Sequence, residues 1–206
     1  MQLLWQGFWR IVSDNKVMNW RAGIAFFLAF LVGLFVDLSN PFIKDAFDQM
    51  NEMAQDIATR DSLLYTIQMI FFNNVLVAMM MIFLGLIFGI VPFMILLFNG
   101  LFIGVFAKFF IAEGGSLIGF IAGIIPHGIF ELTAIVLAGA YGLKLGGVTW
   151  RAIVNFVSGN KEDPAPNRVA NGFRELGIFI LGIVVLLFIA AIIESTISST
   201  LVALLI

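Results

Sequence analysis

The sequence predicts an all-α integral membrane bundle of five transmembrane helices, with amphipathic helices at its interfaces. Three observations carry this. Of the 206 residues, 61% are hydrophobic and only 12% are charged, against roughly 25% charged in an ordinary soluble domain. The mean hydropathy is +1.06. No Asp, Glu, Lys or Arg occurs between Ser62 and Ala107. The 11 basic and 13 acidic residues are too few to coat a soluble globule. Apolar content on this scale excludes disorder. The absence of Cys excludes a disulfide scaffold, a thiolate metal site, an iron–sulfur cluster and a thiol nucleophile. A net charge of -2 with scattered basic residues argues against nucleic-acid binding. The length allows a single membrane domain, 1–206.

The elements follow in order. In residues 1–18, Leu4, Phe8, Ile11 and Val12 recur at helical spacing beside Trp5 and Trp9, with Arg10 and Lys16 nearby. This reads either as a helix lying in the cytoplasmic interface or as one packed on its neighbours. The first span is 20–38, an apolar run from Ala22 to Val36 between Arg21 and Asp37, with Trp20 as an anchor. A signal-peptide reading fits poorly, because no small-x-small cleavage site follows it. Residues 39–61 form an extracytoplasmic loop holding a helix over 41–57. Ser39 or Asn40 can cap that helix and Pro41 suits its first turn. Ile43, Phe47, Met50, Ala54 and Ile57 make its apolar stripe, while Asp45, Asp48, Glu52 and Asp56 face elsewhere.

The uncharged stretch from Ser62 to Ala107 would be about 69 Å as one helix, far more than the roughly 30 Å of hydrocarbon. It therefore holds two spans, 65–90 and 92–111, with the reversal expected near Ile90-Val91-Pro92. The fourth span is 116–143, interrupted by Pro126, and the fifth is 176–194. Between them, 144–175 is a cytoplasmic segment with a short helix from Val148 to Val157 and a polar turn from Ser158 to Pro166.

Charge gives an independent count. The N-terminal segment holds Arg10, Lys16 and Arg21; the 144–175 segment holds Lys144, Arg151, Lys161, Arg168 and Arg174. The 37–61 loop is acidic, with only Lys44 and Arg60 as cations. Cytoplasmic loops carry the basic excess. The N-terminus is then inside, the C-terminus outside, and the chain crosses five times.

Polar groups within spans are the candidate functional residues, because each is expensive there. His127, the only histidine, and Glu131 are four apart and share a face of the fourth span. Pro126 removes a backbone donor and Gly128 allows close approach of another backbone. Asn73, Asn74 and Asn99 lie at comparable depth and are candidates for the same polar cluster. Three readings stay open: hydrogen bonds that fix helix register, a zinc or other divalent metal site at His127 and Glu131, or an ion or substrate passage. Metal-assisted intramembrane hydrolysis is a further alternative that lacks an evident third protein ligand. With one His and no Cys per chain, a metal site looks for its remaining ligands across the two-fold axis of a homodimer.

Glycines recur at intervals of four: Gly85/Gly89, Gly100/Gly104, Gly115/Gly119/Gly123 and Gly142/Gly146. This small-xxx-small pattern lets helix backbones touch, within one chain or along a homodimer seam. No Gly-rich phosphate loop with a Lys and no nucleophile beside a base is present, so no enzymatic activity is expected.

From Phe71 to Gly146 the chain resembles the stage II sporulation protein M family. The matching pieces are FFNN at 71–74, Gly85 and Gly89 before Pro92, Asn99-Gly100 with Gly104, PHGIFEL at 126–132 and AGAYGLKLG at 138–146. Glu194, near the end of the last span, also fits. The family usually has Thr-Pro after this carboxylate, whereas here Ser195-Thr196 is followed by Ile197. The resemblance implies a multi-pass cell-membrane protein without catalytic activity. It also implies that the protein recruits and stabilises two peptidoglycan-degrading partners, stage II sporulation proteins D and P, during engulfment in sporulating hosts.

Overall fold

The computed structural model describes residues 2–41, 43–45, 48–49, 52, 62–159 and 165–198, with the backbone alone for 165–174 and 197–198. Among the described residues the regular structure is entirely helical. α1 is Gln2–Asp14, α2 Lys16–Gly33, α3 Leu63–Leu84, α4 Ile90–Ala112, α5 Leu117–Ser158 and α6 Ala165–Ile193, followed by a π-helical turn, Glu194–Ser198. Five helical stretches are long and apolar enough to cross a membrane: Lys16–Gly33, Leu63–Leu84, Ile90–Ala112, Leu117–Ser158 and Glu175–Thr196.

Without water to expel, membrane helices associate by close van der Waals contact, and glycine makes that contact possible here. α2 lies along α4. A Cβ on Gly104 would overlap the Phe30 carbonyl oxygen and come within 3.0 Å of the Gly33 Cα, while one on Gly100 would overlap the Phe26 carbonyl oxygen. At the end of this seam Lys108 donates to the Val36 carbonyl at 2.6 Å, a long side chain reaching the chain just past the end of α2. The second seam joins α5 to α3 and to the turn after it. A Cβ on Gly85 would overlap the Gly142 backbone, and one on Gly146 would overlap the Gly89 backbone nitrogen. These glycine pairs are thus used within one chain. Gly119 and Gly128 are not used in this way: a Cβ there would meet Ser116 and Phe110, or Ile124 and Leu132 of its own helix. The backbone approach expected at Gly128 is absent because Ile124 and Leu132 already fill that space.

The reversal after α3 comes earlier than Ile90-Val91-Pro92. The chain turns at 85–89, where Gly89 adopts φ 72° and Phe88 a left-handed φ of 55°. Gly89 carries that conformation without a Cβ penalty, and Pro92 falls in the first turn of α4, where no donor is needed. The T-shaped pair of Phe88 and Trp150, 5.5 Å between ring centres, holds the turn against α5.

α5 also differs from expectation. The separate helix foreseen at 148–157 is a continuation of the span, giving one helix of 42 residues, about 63 Å long. Ser116 caps its start by accepting from the Gly119 N–H at 3.0 Å, and Gly159 ends it at φ 69°. Pro126 interrupts the hydrogen-bond ladder without ending the helix. α6 begins at Ala165, earlier than the expected Leu176, and residues 160–164 of the foreseen polar turn lie outside the described residues.

α1 packs by one face. Phe8 and Ile11 are buried, and Phe8 stacks on Phe179 of α6 at 5.8 Å beside Gly182. Trp5 and Trp9 remain exposed. Of the expected 41–57 helix, residues 41, 43–45, 48–49 and 52 are helical. Ile43 packs against Val105. Phe47, Met50, Ala54 and Ile57 lie outside the described residues.

Candidate functional site

The site begins with a local defect in α5. Proline at 126 has no N–H, so the carbonyl of Ala122 loses its helical donor. One turn around the helix, the His127 ring donates to the Gly123 carbonyl. With one ring nitrogen spent as a donor, the other is an acceptor in the neutral imidazole. Glu131 follows on the same face. His127 and Glu131 lie about 15 and 21 Å along the helix from Leu117, and Lys144 about 40 Å. The pair therefore sits near the middle of this span. Lys144 itself is a landmark of the other end, where it meets Glu175 at 3.7 Å and lies 5.1 Å from the centre of the Tyr141 ring.

Two further helices converge on the pair. α3 supplies Asn74, whose amide donates to the Glu131 carboxylate. The π-helical turn that follows α6 supplies Glu194. The possible ligand atoms of His127, Glu131 and Glu194 all lie within 4.8 Å of one another, and all three residues are half-buried. The π-helical turn that starts at Glu194 touches α3, α5 and α6. Such a turn re-aims side chains and frees carbonyl groups. Two of those carbonyls are taken up locally: Ser195 donates to Ala191 at 2.7 Å and Thr196 to Ile192 at 2.6 Å.

The expected polar cluster is therefore gathered in part and enlarged in part. His127, Glu131 and Asn74 come together. Asn73, 100° round the helix from Asn74, is exposed on another face. Asn99 turns back on its own helix and donates to the Ile95 carbonyl at 2.8 Å. Glu194, which sequence reasoning kept only as a supporting residue, is a full member. The completing carboxylate thus comes from the same chain, where the sequence pointed to a second copy. The available signal was the Glu-Ser-Thr run: a carboxylate followed by two hydroxyls that can bond back to the helix.

Chemically, the arrangement offers one imidazole and two carboxylates inside an apolar bundle. Among the described residues no Lys or Arg pairs with either carboxylate. Two adjacent carboxylates in low dielectric cannot both stay charged without a balancing cation. The group can share a proton, carry one, or hold a divalent ion.

The family model described as stage II sporulation protein M matches residues 22–199. This span contains the glycine seams, His127, Glu131 and Glu194. Comparison with curated proteins and with solved structures returns no match.

Proposed function

The chain belongs to the stage II sporulation protein M family, and on that premise we propose that it is a non-enzymatic membrane scaffold for peptidoglycan-remodelling partners. The family match over 22–199 carries this reading. The five helices long and apolar enough to cross a membrane agree with it. The protein sits in the cell membrane with its N-terminus inside and its C-terminus outside, following the basic excess in 1–21 and 144–175. The acidic 38–61 loop then faces the wall and presents the partner surface. The partners are enzymes of the stage II sporulation protein D and P classes, acting in engulfment where the host sporulates. The scaffold acts as a homodimer through faces other than the glycine seams, which are already filled within one chain.

Co-purification from membranes tests this. The intact protein retains wall-degrading partners, and a variant with residues 38–61 replaced by a neutral linker loses them. Equal recovery from both removes the assignment to that loop, and no recovery from either removes the scaffold role.

A second reading, a transporter or channel, is favoured by one observation: the ionisable groups of His127, Glu131 and Glu194 meet inside the bundle. It predicts an ion or solute flux in liposomes that Glu131→Gln alters. Tight liposomes across a panel of ions and small solutes would discard it.

A further inference from the structure

We propose that His127, Glu131 and Glu194 form a mononuclear divalent transition-metal site, of the kind zinc occupies, contained within a single chain. Its role is to tie the end of the last span to the middle of α5. This is independent of the scaffold role.

Four observations converge on it. The first is the donor set. Imidazole nitrogen with carboxylate oxygen suits zinc and its first-row neighbours, which take such ligands at roughly 2.0–2.2 Å. Ligands at that radius are themselves about 3.4 Å apart in a tetrahedron. Donor atoms already within 4.8 Å of one another reach this by small side-chain rotations.

The second is charge. Two carboxylates and a neutral imidazole carry two negative charges, which a divalent ion cancels. Among the described residues no Lys or Arg stands among the groups acting on either carboxylate. In an apolar bundle an uncompensated pair is the costly alternative.

The third is the support behind the ligands. Metal-binding imidazoles commonly donate their other ring N–H to a carbonyl or carboxylate, and ligating carboxylates accept hydrogen bonds of their own. His127 donates to the Gly123 carbonyl and Glu131 accepts from Asn74.

The fourth is placement. His127 and Glu131 are one helical turn apart, the spacing that lets two side chains of one helix bind one ion. Glu194 arrives from another helix, at the first residue of a π turn, a deformation frequent at functional sites. Three protein donors leave one tetrahedral position for water.

The test uses the full chain, purified in detergent and supplied in turn with zinc, manganese and magnesium, then desalted. Elemental analysis is expected to find one zinc or manganese ion per wild-type chain and none after chelation. X-ray absorption at the zinc edge should show one nitrogen and two or three oxygens at about 2.0–2.1 Å. Glu194→Gln and His127→Gln, if monodisperse, should lose the ion. Zinc should raise the melting temperature of the wild type and not of Glu194→Gln. Metal-free wild type under every supply overturns the proposal and leaves a proton-sharing carboxyl pair. Binding of magnesium alone overturns the transition-metal class. Full metal content in either variant, or a spectrum without nitrogen, overturns the ligand set.

Discussion

Along α2 and α4 the helices meet where side chains are missing; around His127 they meet where polar side chains remain. In the first region Gly33, Gly100 and Gly104 let carbonyls of one helix lie against the Cα atoms of the other. Every contact there is short, apolar in effect and intolerant of added atoms. In the second region His127, Glu131, Asn74 and Glu194 bring polar groups from three helices to one point. Contacts there depend on complementary chemistry, not on vacancy. The seams explain why the bundle holds together. The carboxylates of the cluster have no comparable claim on stability, because buried charges rarely contribute more than they cost in desolvation. Their presence therefore points to function.

The largest effect is expected in the seam. Gly104→Leu forces a branched side chain into the Phe30 backbone and should cost more than about 3 kcal/mol, because overpacking by even a few methylenes costs about 1–3. Loss of the monodisperse peak on size exclusion would register it. A folded Gly104→Leu protein of ordinary thermal stability would break the contrast between seam and cluster.

Next comes Asn74→Leu against Asn73→Leu. The first removes the donor to Glu131 and should cost about 1–2 kcal/mol. The second replaces an exposed amide and should stay within about 0.5 kcal/mol. Reversible unfolding in mixed detergent measures both, and equal effects would dissolve the distinction between the two asparagines.

A smaller effect of opposite sign is expected at Gly147, where an added Cβ meets nothing within 4 Å. Gly147→Ala should stabilise α5 by about 0.5–1 kcal/mol. In the adjacent Gly146 the same change runs into the Gly89 backbone and should destabilise. Thermal melts of the two single variants separate a structural glycine from an incidental one.

The smallest effect lies outside the bundle. Ser39 donates to Asp37 from its backbone N–H at 2.9 Å and from its hydroxyl at 2.7 Å, and these bonds hold the Asp37 carboxyl below the usual carboxylate range. A lowered folded-state pKa contributes stability above the ordinary value and loses it as pH falls through the lowered one. The difference between wild type and Ser39→Ala should thus be present at neutral pH and vanish on acidification. Because Asp37 is exposed, the difference should be slight, and melting temperatures followed against pH would detect it. A gap that grows in acid would contradict the sign.

Helix number was legible because each span needs a long apolar run, and the run from Ser62 to Ala107 could not be a single one. The turn after α3 was less legible. Proline at 92 and glycine at 89 both punctuate helices, and only the backbone shows that Gly89 takes the left-handed conformation. The continuity of α5 past Leu143 was hidden by the Lys, Arg and Gly residues that follow, which mark a membrane boundary without breaking a helix. At the site, His127 and Glu131 stood out because periodicity within one helix is local information. Glu194 did not, because its pairing depends on how α6 crosses α5 and on a π turn. The same limit applies to the asparagines: Asn73, Asn74 and Asn99 are three residues of one type at similar depth, of which packing selects one.

α5 is about twice as long as the hydrocarbon is thick. Its contacts at Gly142 and Gly146 act as a fulcrum. From that fulcrum one arm runs back about 22 Å to the middle of the cluster, and the other runs on about 21 Å to Ser158. A continuous helix is stiff over such lengths. Tilting the arm that ends at Ser158 by about 10° would swing its tip by nearly 4 Å, and the cluster by about as much in the opposite sense. A rigid tilt of the 42-residue helix about those contacts would thus carry a displacement near Trp150 into the geometry of His127 and Glu131.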